Sequence, residues 1–304
     1  MTSRISFCVP ASTANLGAGF DALSLALDRY LRVSIENADV LRIEASGQDH
    51  DRIPTTPENL IYRVAESVAA KRGRKLPPFH MVLENEIPLA RGMGSSAAAI
   101  IAGITCYEIL FNDNLSEQEL FNYAFEYESH PDNLAAALYG GLIAAGVGNA
   151  GTVFVSRLEI GEGIRGVVVI PEFELSTEKA RSVLPAQYSR QDAVYNIQRS
   201  ALTIAALTTG NYSMLRESMK DRIHQPYRAK LIPGLAEILM LDEPGLFGVA
   251  LSGAGPTVFA FAEPTLADCV GAAIAREFAR HGVTATPHLV NIDKTGRLIE
   301  GRLR

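Results

Sequence analysis

The segment at residues 88–99 combines glycine and serine in an order that suits phosphate binding. It reads Pro-Leu-Ala-Arg-Gly-Met-Gly-Ser-Ser-Ala-Ala-Ala, so a glycine-rich turn leads directly into an alanine-rich run. A helix that begins at Ser95 would present unpaired first-turn amides, and the positive end of its dipole, to an anion. No lysine follows the glycines, so the segment is not a Walker nucleotide loop. A plain turn into a capped helix is an equally good interpretation of these residues alone.

The segment at residues 10–21 could hold an ammonium group of a ligand. It reads Pro-Ala-Ser-Thr-Ala-Asn-Leu-Gly-Ala-Gly-Phe-Asp and places Asn15 and Asp21 on a compact glycine-rich loop. The alternative is that both side chains bond to their own backbone as turn residues. The Gly-Ala-Gly-Phe-Asp-Ala run also resembles a degenerate dinucleotide-binding fingerprint. That interpretation is disfavoured because the preceding strand is expected to end at Pro10 and no regular βαβ unit follows.

Two further segments carry residue types that are common in binding sites. Residues 126–133 read Glu-Tyr-Glu-Ser-His-Pro-Asp-Asn, in which a carboxylate suits metal coordination. Zinc is disfavoured because no second histidine or cysteine lies at ligand spacing, and His130 is expected only to cap the preceding helix. Residues 251–257 read Leu-Ser-Gly-Ala-Gly-Pro-Thr, between two apolar strands. This loop indicates either a second close backbone approach, to a partner that the sequence does not identify, or a plain hairpin loop.

The elements around these segments are predicted from hydrophobic periodicity and capping signals. Strands are predicted at residues 5–9, 30–36, 40–45, 79–83, 166–170, 246–251, 257–261 and 284–290, and helices at 95–111, 176–184, 192–207 and 265–280. Two more helices are expected to begin at Thr56, an N-cap followed by proline, and at Ser116, which forms a capping box with Glu119. The mixture is neither regular βαβ alternation nor all-β, so it predicts a two-domain α+β fold divided near residues 150–160.

Composition and charge exclude several classes of partner. The 304 residues carry 28 basic and 34 acidic side chains, a net charge of −6. A basic surface for nucleic acid or anionic membrane is therefore not expected. Residues 133–156 and 244–262 are uncharged, but repeated glycines interrupt the first and a Ser-Gly-Ala-Gly-Pro run interrupts the second, so neither is predicted to span a membrane. The first of them is predicted as helix, turn, strand, turn and strand. Three well-separated cysteines, and no recognisable signal-peptide pattern, favour a reducing, cytoplasmic location.

In this order along the chain, the four segments resemble the GHMP family of small-molecule kinases. The three motifs of that family fall at residues 10–21, 88–98 and 251–257, and further similar segments lie at residues 128–133, 176–181, 184–192 and 226–228. The resemblance covers nearly the whole chain. Ala18, Met93 and Ser129 differ from the residues more usual in the family, but none of these differences removes a donor or acceptor side chain.

The resemblance implies a two-domain α+β GHMP kinase fold with ATP between the domains. The N-terminal domain, residues 1–155, would resemble the second domain of ribosomal protein S5 and bind ATP. The C-terminal domain, residues 156–304, would be ferredoxin-like, and a homodimer is a further expectation. The implied ATP contacts are Asn59 and Leu60 near the adenine and the loop Pro88, Leu89, Ala90, Arg91, Gly92, Met93, Gly94, Ser95 and Ser96. The implied Mg²⁺ ligands are Ser96 and Glu128, with Glu126 as the alternative.

The acceptor that the resemblance implies is L-homoserine. Its side-chain hydroxyl would receive the γ-phosphoryl group of ATP, giving O-phospho-L-homoserine in a step of threonine biosynthesis. The implied contacts are Asp21 and Asn15 for the ammonium group, Arg181 and Arg228 for the carboxylate, and Asn133 for the hydroxyl. Asp132 and Thr177 are further candidate catalytic residues, and the identity of a general base stays open.

Three other functions fit these residues less well. A kinase of the same fold that acts on mevalonate fits less well, because mevalonate has no ammonium group to pair with Asp21. A catalytically silent ligand sensor is disfavoured by the presence of Ser96, Glu128 and both glycine loops. An NAD-dependent dehydrogenase is disfavoured because its fingerprint lacks the required βαβ context.

Overall fold

The computed structural model describes residues 4–300, so both ends of the expected domain ranges lie outside the described residues. The strands are β1 (Ile5–Ala14), β2 (Leu23–Asn37), β3 (Arg42–Gly47), β4 (Phe79–Asn85), β5 (Leu142–Val147), β6 (Val153–Leu158), β7 (Arg165–Pro171), β8 (Leu246–Leu251), β9 (Val258–Ala262), β10 (Ala285–Val290) and β11 (Leu298–Ile299). The helices are α1 (Leu60–Lys71), α2 (Ser95–Phe111), α3 (Glu117–Ala124), α4 (Pro131–Tyr139), α5 (Thr177–Ser182), α6 (Arg190–Thr209), α7 (Leu215–Ser218), α8 (Gln225–Arg228), α9 (Leu235–Ile238) and α10 (Ala267–Arg280).

The first sheet has seven strands and carries the larger core. Its main order is β11-β1-β2-β4-β3, with β5 paired to β2 and β6 paired to β5. Helices α2 and α4 pack against β1, and α1 packs against α2. The middle of α2 is buried on all sides, because its alanines and glycine allow the sheet and the neighbouring helices to approach closely.

The second sheet has four antiparallel strands in the order β10-β7-β9-β8, and α10 packs on β7 and β10. Its buried aliphatic residues form a separate, smaller core. The expected boundary between residues 155 and 156 falls inside β6, which belongs to the first sheet. After β10 the chain returns to the first sheet, where β11 pairs with β1. The observed mixture of two sheets and ten helices, within residues 4–300, confirms the predicted α+β class.

Several local predictions are confirmed. Helix α2 has the predicted bounds, and Ser116 and Glu119 form the capping box of α3. The uncharged stretch at 133–156 folds as helix, turn, strand, turn and strand, as expected. Among the described residues, no helix has the length and apolar character needed to cross a bilayer.

Other local predictions are wrong, for identifiable reasons. The first helix begins at Leu60 and not after Thr56, because the Asn59 side chain accepts a hydrogen bond from the Ile61 amide and caps it. Strand β1 continues beyond Pro10 to Ala14, because the chain absorbs the proline at a register shift instead of ending the strand.

Helix α6 is confirmed, but its apolar residues do not all face the core. Val194 and Ile197 are 44% and 69% exposed, whereas Asn196, Thr203 and Leu207 are buried. The helical spacing of the aliphatic residues therefore predicted the helix correctly but does not identify the side that packs on the protein.

Candidate active site

A cavity of about 350 Å³ lies where all four sequence segments meet. The walls include Asn15, Asp21, Gly92, Gly94, Ser95, Ser96, Glu128, His130, Asp132, Asn133, Thr177, Arg181, Arg228, Gly253 and Gly255. These residues lie in loops and at helix ends that adjoin the first sheet or the second. The cavity is therefore assembled by the tertiary fold from segments far apart in the chain.

One wall of the cavity is the N-terminus of α2. Its N-cap is Gly94, which has a positive φ of 70° and supplies no side-chain cap. The first amides of α2 therefore stay available to a ligand, and Gly94, Ser95, Ser96 and Ala97 all line the cavity. A helix N-terminus of this length carries about half a positive charge, so this wall suits an anion such as phosphate.

Close packing of the three glycine-rich loops explains why glycine occupies two of these positions. A Cβ atom on Gly92 would lie 2.2 Å from the Ser252 carbonyl oxygen, in the loop between β8 and β9. A Cβ atom on Gly94 would lie 2.1 Å from Ser12 Oγ. The loop at residues 251–257 is therefore a close backbone approach, as predicted, but its nearest partner is the loop before α2.

The cavity lining also contains an ion pair between the first loop and α5. The Arg181 guanidinium donates two hydrogen bonds to Asp21, at 2.7 and 3.2 Å. The two side chains are 32% and 29% exposed. Asn15 lies beside them with a positive φ of 75°, and its Oδ1 accepts from the Asp21 amide at 3.0 Å. Asn15 thus has the turn role that the sequence left open, while still lining the cavity.

Arg228 is buried, with 1% exposure, although it lines the cavity. Its Nε donates to the Ala180 carbonyl at 3.2 Å, and its Nη1 donates to the Gly253 carbonyl at 2.9 Å. Burial, together with the nearby positive charge of Arg181, lowers the pKa of Arg228 to about 10. At neutral pH the cavity therefore still contains a charged, largely desolvated guanidinium.

The start of α4 brings an acid and an amide to the same cavity. The Asp132 side chain accepts from the Asn133 amide at 2.8 Å, and burial raises the pKa of Asp132 to about 6. The Asn133 side-chain oxygen accepts from Ser12 Oγ at 2.8 Å, which ties α4 to β1. Ser12 was not among the predicted site residues, although its hydroxyl lies within the first glycine-rich segment.

Residues 59–141 match the GHMP kinases N terminal domain, and residues 203–280 match the GHMP kinases C terminal domain. The homoserine kinase of Solibacter usitatus is 46% identical over 255 residues, covering 84% of each chain. That of Moorella thermoacetica is 44% identical over 279 residues, covering 91% of this chain and 94% of the relative. The crystal structure of the homoserine kinase from Cytophaga hutchinsonii has a TM-score of 0.84 at 27% identity, covering 98% of each chain.

The chain belongs to the homoserine kinases of the GHMP family. This membership confirms the resemblance seen in the motifs and the GHMP kinase fold expected from it. It also removes the dehydrogenase alternative. The relatives span nearly the same length as this chain, so the comparison concerns the whole fold and not one domain.

The predicted phosphate loop of this homoserine kinase family member divides into two sets of residues. Ala90, Gly92, Gly94, Ser95 and Ser96 line the cavity. The other residues of the loop do not line the cavity. Met93 is buried in the core, and Pro88 faces a separate groove. The Arg91 side chain donates to Asp49 and to the carbonyls of Pro171 and Glu172. The Leu89 amide also donates to Asp49.

Asn59 and Leu60 do not line the cavity described above. The Asn59 side chain is buried, donates to the Pro54 carbonyl and caps α1. Its amide is therefore occupied by the fold, and any contact of these two residues with adenine stays a prediction.

The acidic segment before α4 separates the two candidate metal ligands. Glu128 lines the cavity and lies 3.0 Å from His130 Nδ1, whereas Glu126 forms an ion pair with Lys71 away from the cavity. His130 does not cap the preceding helix, contrary to expectation, because α3 ends at Ala124 with Phe125 as its C-cap; His130 instead precedes α4, without a side-chain cap bond. Its ring lies between two carboxylates, with Nε2 3.6 Å from Asp21, so the sequence reading missed it as a cavity residue.

Proposed function

We propose that this chain transfers the γ-phosphoryl group of ATP to the side-chain hydroxyl of L-homoserine, giving O-phospho-L-homoserine and ADP. The reaction is a step of threonine biosynthesis. One observation carries the proposal: a single cavity joins an uncapped helix N-terminus to an acid and two arginines that match a zwitterion. The names of the relatives support the same reaction.

At the ATP end, we infer that the phosphates bind the amides of residues 92–96. Positioning and charge neutralisation are the main requirements of phosphoryl transfer, and a preorganised helix N-terminus supplies both. The proposed ATP-binding unit is residues 1–155 and the second unit is residues 156–304, with the adenine contacts at Asn59 and Leu60 still predictions.

Ser96 and Glu128 fit a Mg²⁺ ion that accompanies ATP. Both supply hard oxygen donors to the same cavity, which is the ligand type that Mg²⁺ prefers. Among residues 4–300 there is no cluster of three or more His, Cys, Asp or Glu side chains that could hold a metal by itself. Two protein ligands are sufficient here, because Mg²⁺ usually keeps waters and phosphate oxygens in its shell. When bound, the ion supplies positive charge to the triphosphate.

At the homoserine end, we infer that the substrate opens the Asp21–Arg181 ion pair. Both side chains are partly exposed, so they can separate without large rearrangement. A zwitterion gives an ammonium group to Asp21 and a carboxylate to Arg181, so neither charge is left alone. Arg228 adds a buried positive charge for the carboxylate, and Asn15 holds the loop that carries Asp21. Mevalonate would leave Asp21 without a cationic partner.

The acceptor hydroxyl is assigned to Asn133, whose amide is held in place by Ser12. Asp132 and Thr177 are the further candidates for catalytic contacts. Asp132 is a buried carboxyl beside Asn133, and Thr177 lines the cavity at the first position of α5. Either the raised-pKa carboxyl of Asp132 or a phosphate oxygen can receive the hydroxyl proton, so the general base stays open.

We also propose a homodimer. The exposed side chains of Val194 and Ile197, three positions apart on α6, form an apolar patch that a second copy could cover. Sedimentation of wild type and Ile197→Glu tests this, since a dimer through α6 requires the variant to be monomeric. The cytoplasmic location stays a prediction from the cysteine pattern, and all three cysteines are free thiols.

The decisive test is release of ADP from Mg·ATP in the presence of four alcohols: L-homoserine, L-serine, L-threonine and mevalonate. The proposal requires the highest kcat/KM for homoserine. Equal or higher use of mevalonate would contradict the zwitterion assignment. Lack of turnover with all four, in protein that binds ATP by calorimetry, would contradict the proposed reaction.

A further inference from the structure

His224 lies directly behind the cavity and belongs to none of the four sequence segments. It is the N-cap residue of α8, has 0% exposure, and does not line the cavity itself. Its Nε2 is 2.8 Å from the Gly17 carbonyl oxygen in the first loop, and its Nδ1 is 3.2 Å from Arg228 Nη1. The ring stacks on Phe20, with centroids 5.1 Å apart and planes inclined by 21°.

The two hydrogen-bond partners determine the protonation state of this ring. A carbonyl oxygen can only accept, so Nε2 carries the hydrogen and donates to Gly17. A guanidinium can only donate, so Nδ1 is unprotonated and accepts from Arg228. Both bonds exist together only in the neutral imidazole. Burial lowers the pKa of His224, as does the Arg228 charge, while Asp221 and Asp21 act in the opposite direction.

The contacts of Arg228 show what this imidazole does for the cavity. His224 and the Gly253 carbonyl both accept from Nη1, and the Ala180 carbonyl accepts from Nε. Within residues 4–300, Nη2 has no hydrogen-bond partner, although Arg228 lines the cavity. The fixed contacts on Nε and Nη1 therefore leave Nη2 as the guanidinium donor available to a ligand.

His224 also connects the two charged anchors of the acceptor pocket. Its hydrogen bond to the Gly17 carbonyl holds the loop that continues to Asp21. Its hydrogen bond from Arg228 holds the guanidinium at the end of α8. Phe20, beside Asp21 in sequence, stacks on His224. The centroid of its ring lies 5.3 Å from Arg228 Cζ and 5.5 Å from Arg181 Cζ. The spacing between an ammonium site at Asp21 and a carboxylate site at Arg228 is thus set partly by this ring.

We propose that His224 is a positioning residue for the carboxylate of the amino-acid substrate, acting as a neutral acceptor that aims Arg228 into the cavity. The proposal rests on the proposed function, since it requires that Arg228 bind that carboxylate. It extends the acceptor site to a buried side chain that does not touch the substrate and that helps to select α-amino acids.

The test compares His224→Phe with a matched control, Tyr212→Phe. His224→Phe keeps a planar ring beside Phe20 but has no acceptor for Arg228. Tyr212 is also buried, and its hydroxyl donates to the Glu162 carbonyl at 3.1 Å, away from the cavity. Both variants lose buried hydrogen bonding, so a general loss of stability affects both.

We expect His224→Phe to raise the KM for L-homoserine by about tenfold, the effect typical of one hydrogen bond to a charged group. The kcat and the KM for ATP should change by less than about twofold, because the phosphate wall is separate. In an Arg228→Ala background the same substitution should add almost nothing, since the group it positions is gone. His224→Asn can again place an acceptor near Arg228, so it should recover part of the lost affinity.

Each other result has a defined meaning. Wild type that does not phosphorylate homoserine contradicts the proposed function. Active wild type with His224→Phe indistinguishable from Tyr212→Phe overturns the role of His224, as does an effect that adds fully to Arg228→Ala. If His224→Phe does not fold, as judged by thermal unfolding, His224→Asn is compared alone and in the Arg228→Ala background. An effect on the KM for homoserine that disappears in the Arg228→Ala background supports the role of His224, and an effect that adds fully overturns it.

Discussion

Replacing Asp21 by asparagine tests the acceptor pocket most directly. The substitution keeps the size of the side chain and removes one negative charge from the bidentate pair with Arg181. The Asp21 amide still donates to Asn15, so the loop conformation is retained. We expect the variant to lose its hold on the substrate ammonium group while the ATP wall is unaffected.

The expected effects on catalysis and on stability differ in size. A hydrogen bond between charged groups contributes about 1.5–3 kcal/mol, so kcat/KM for L-homoserine should fall by about 10- to 150-fold. The Asp21–Arg181 pair is 29% and 32% exposed, and solvent screening limits such pairs to about 0.2–1 kcal/mol of folding stability. The variant should therefore unfold at nearly the wild-type temperature.

The assay compares L-homoserine with 4-hydroxybutanoate, which has the same hydroxyl and carboxylate but no ammonium group. Asp21→Asn should reduce kcat/KM for homoserine strongly and leave that for 4-hydroxybutanoate nearly unchanged. Glu86→Gln is the control, since Glu86 also pairs with an arginine, Arg32, but lies outside the cavity. An equal loss for both substrates, or no loss for homoserine, would refute the assignment of Asp21 to the ammonium group.

Three further predictions concern the other walls of the cavity. Ser96→Ala should raise the KM for Mg·ATP while the calorimetric Kd for homoserine stays unchanged, and the reverse pattern would exclude Ser96 as a metal ligand. Gly94→Ala places a Cβ 2.1 Å from Ser12 Oγ at a positive φ, so it should lower the unfolding temperature and weaken ATP binding; an unchanged variant would contradict the close packing of these loops. Burial raises the folded-state pKa of Asp132 from 3.8 to about 6, so ionising it in the folded protein costs up to about 3 kcal/mol, a penalty absent below pH 4 and complete above pH 6. Asp132→Asn should therefore stabilise the nucleotide-free protein more at pH 8 than at pH 4.5 in thermal unfolding, and an equal effect at both pH values would show that the carboxyl titrates normally.

Local signals in the sequence were reliable where short-range physics decides the outcome. The bounds of α2 and the capping box of α3 depend on residues within a few positions of each other, and both were predicted correctly. The cap of α1 was misplaced because Thr56 and Asn59 are both good caps, and the bond from Asn59 to the Pro54 carbonyl favours the second. Where two local solutions are close in free energy, one additional local hydrogen bond can choose between them.

The pairing of charged groups across the cavity could not be predicted in the same way. Asp21 and Arg181 are separated by 160 positions, and the sequence assigned them to opposite ends of the substrate without showing that they bind each other. His130 was interpreted as a cap because its neighbours in sequence suggest nothing else, yet the fold places it between Glu128 and Asp21. Packing also decided which side of α6 is exposed, since the spacing of the aliphatic residues is the same whether they face the core or the solvent.

By itself, the sequence determined the kinase family, the α+β class and the loops that build the cavity, because glycine-rich turns, caps and motif order are properties of short segments. Only the tertiary structure decided which side chains of those loops face the cavity and which anchor it. It also brought His224 to Gly17, 207 positions away, and to Arg228. Contacts of this kind depend on how two sheets close on each other, and no local pattern encodes that geometry.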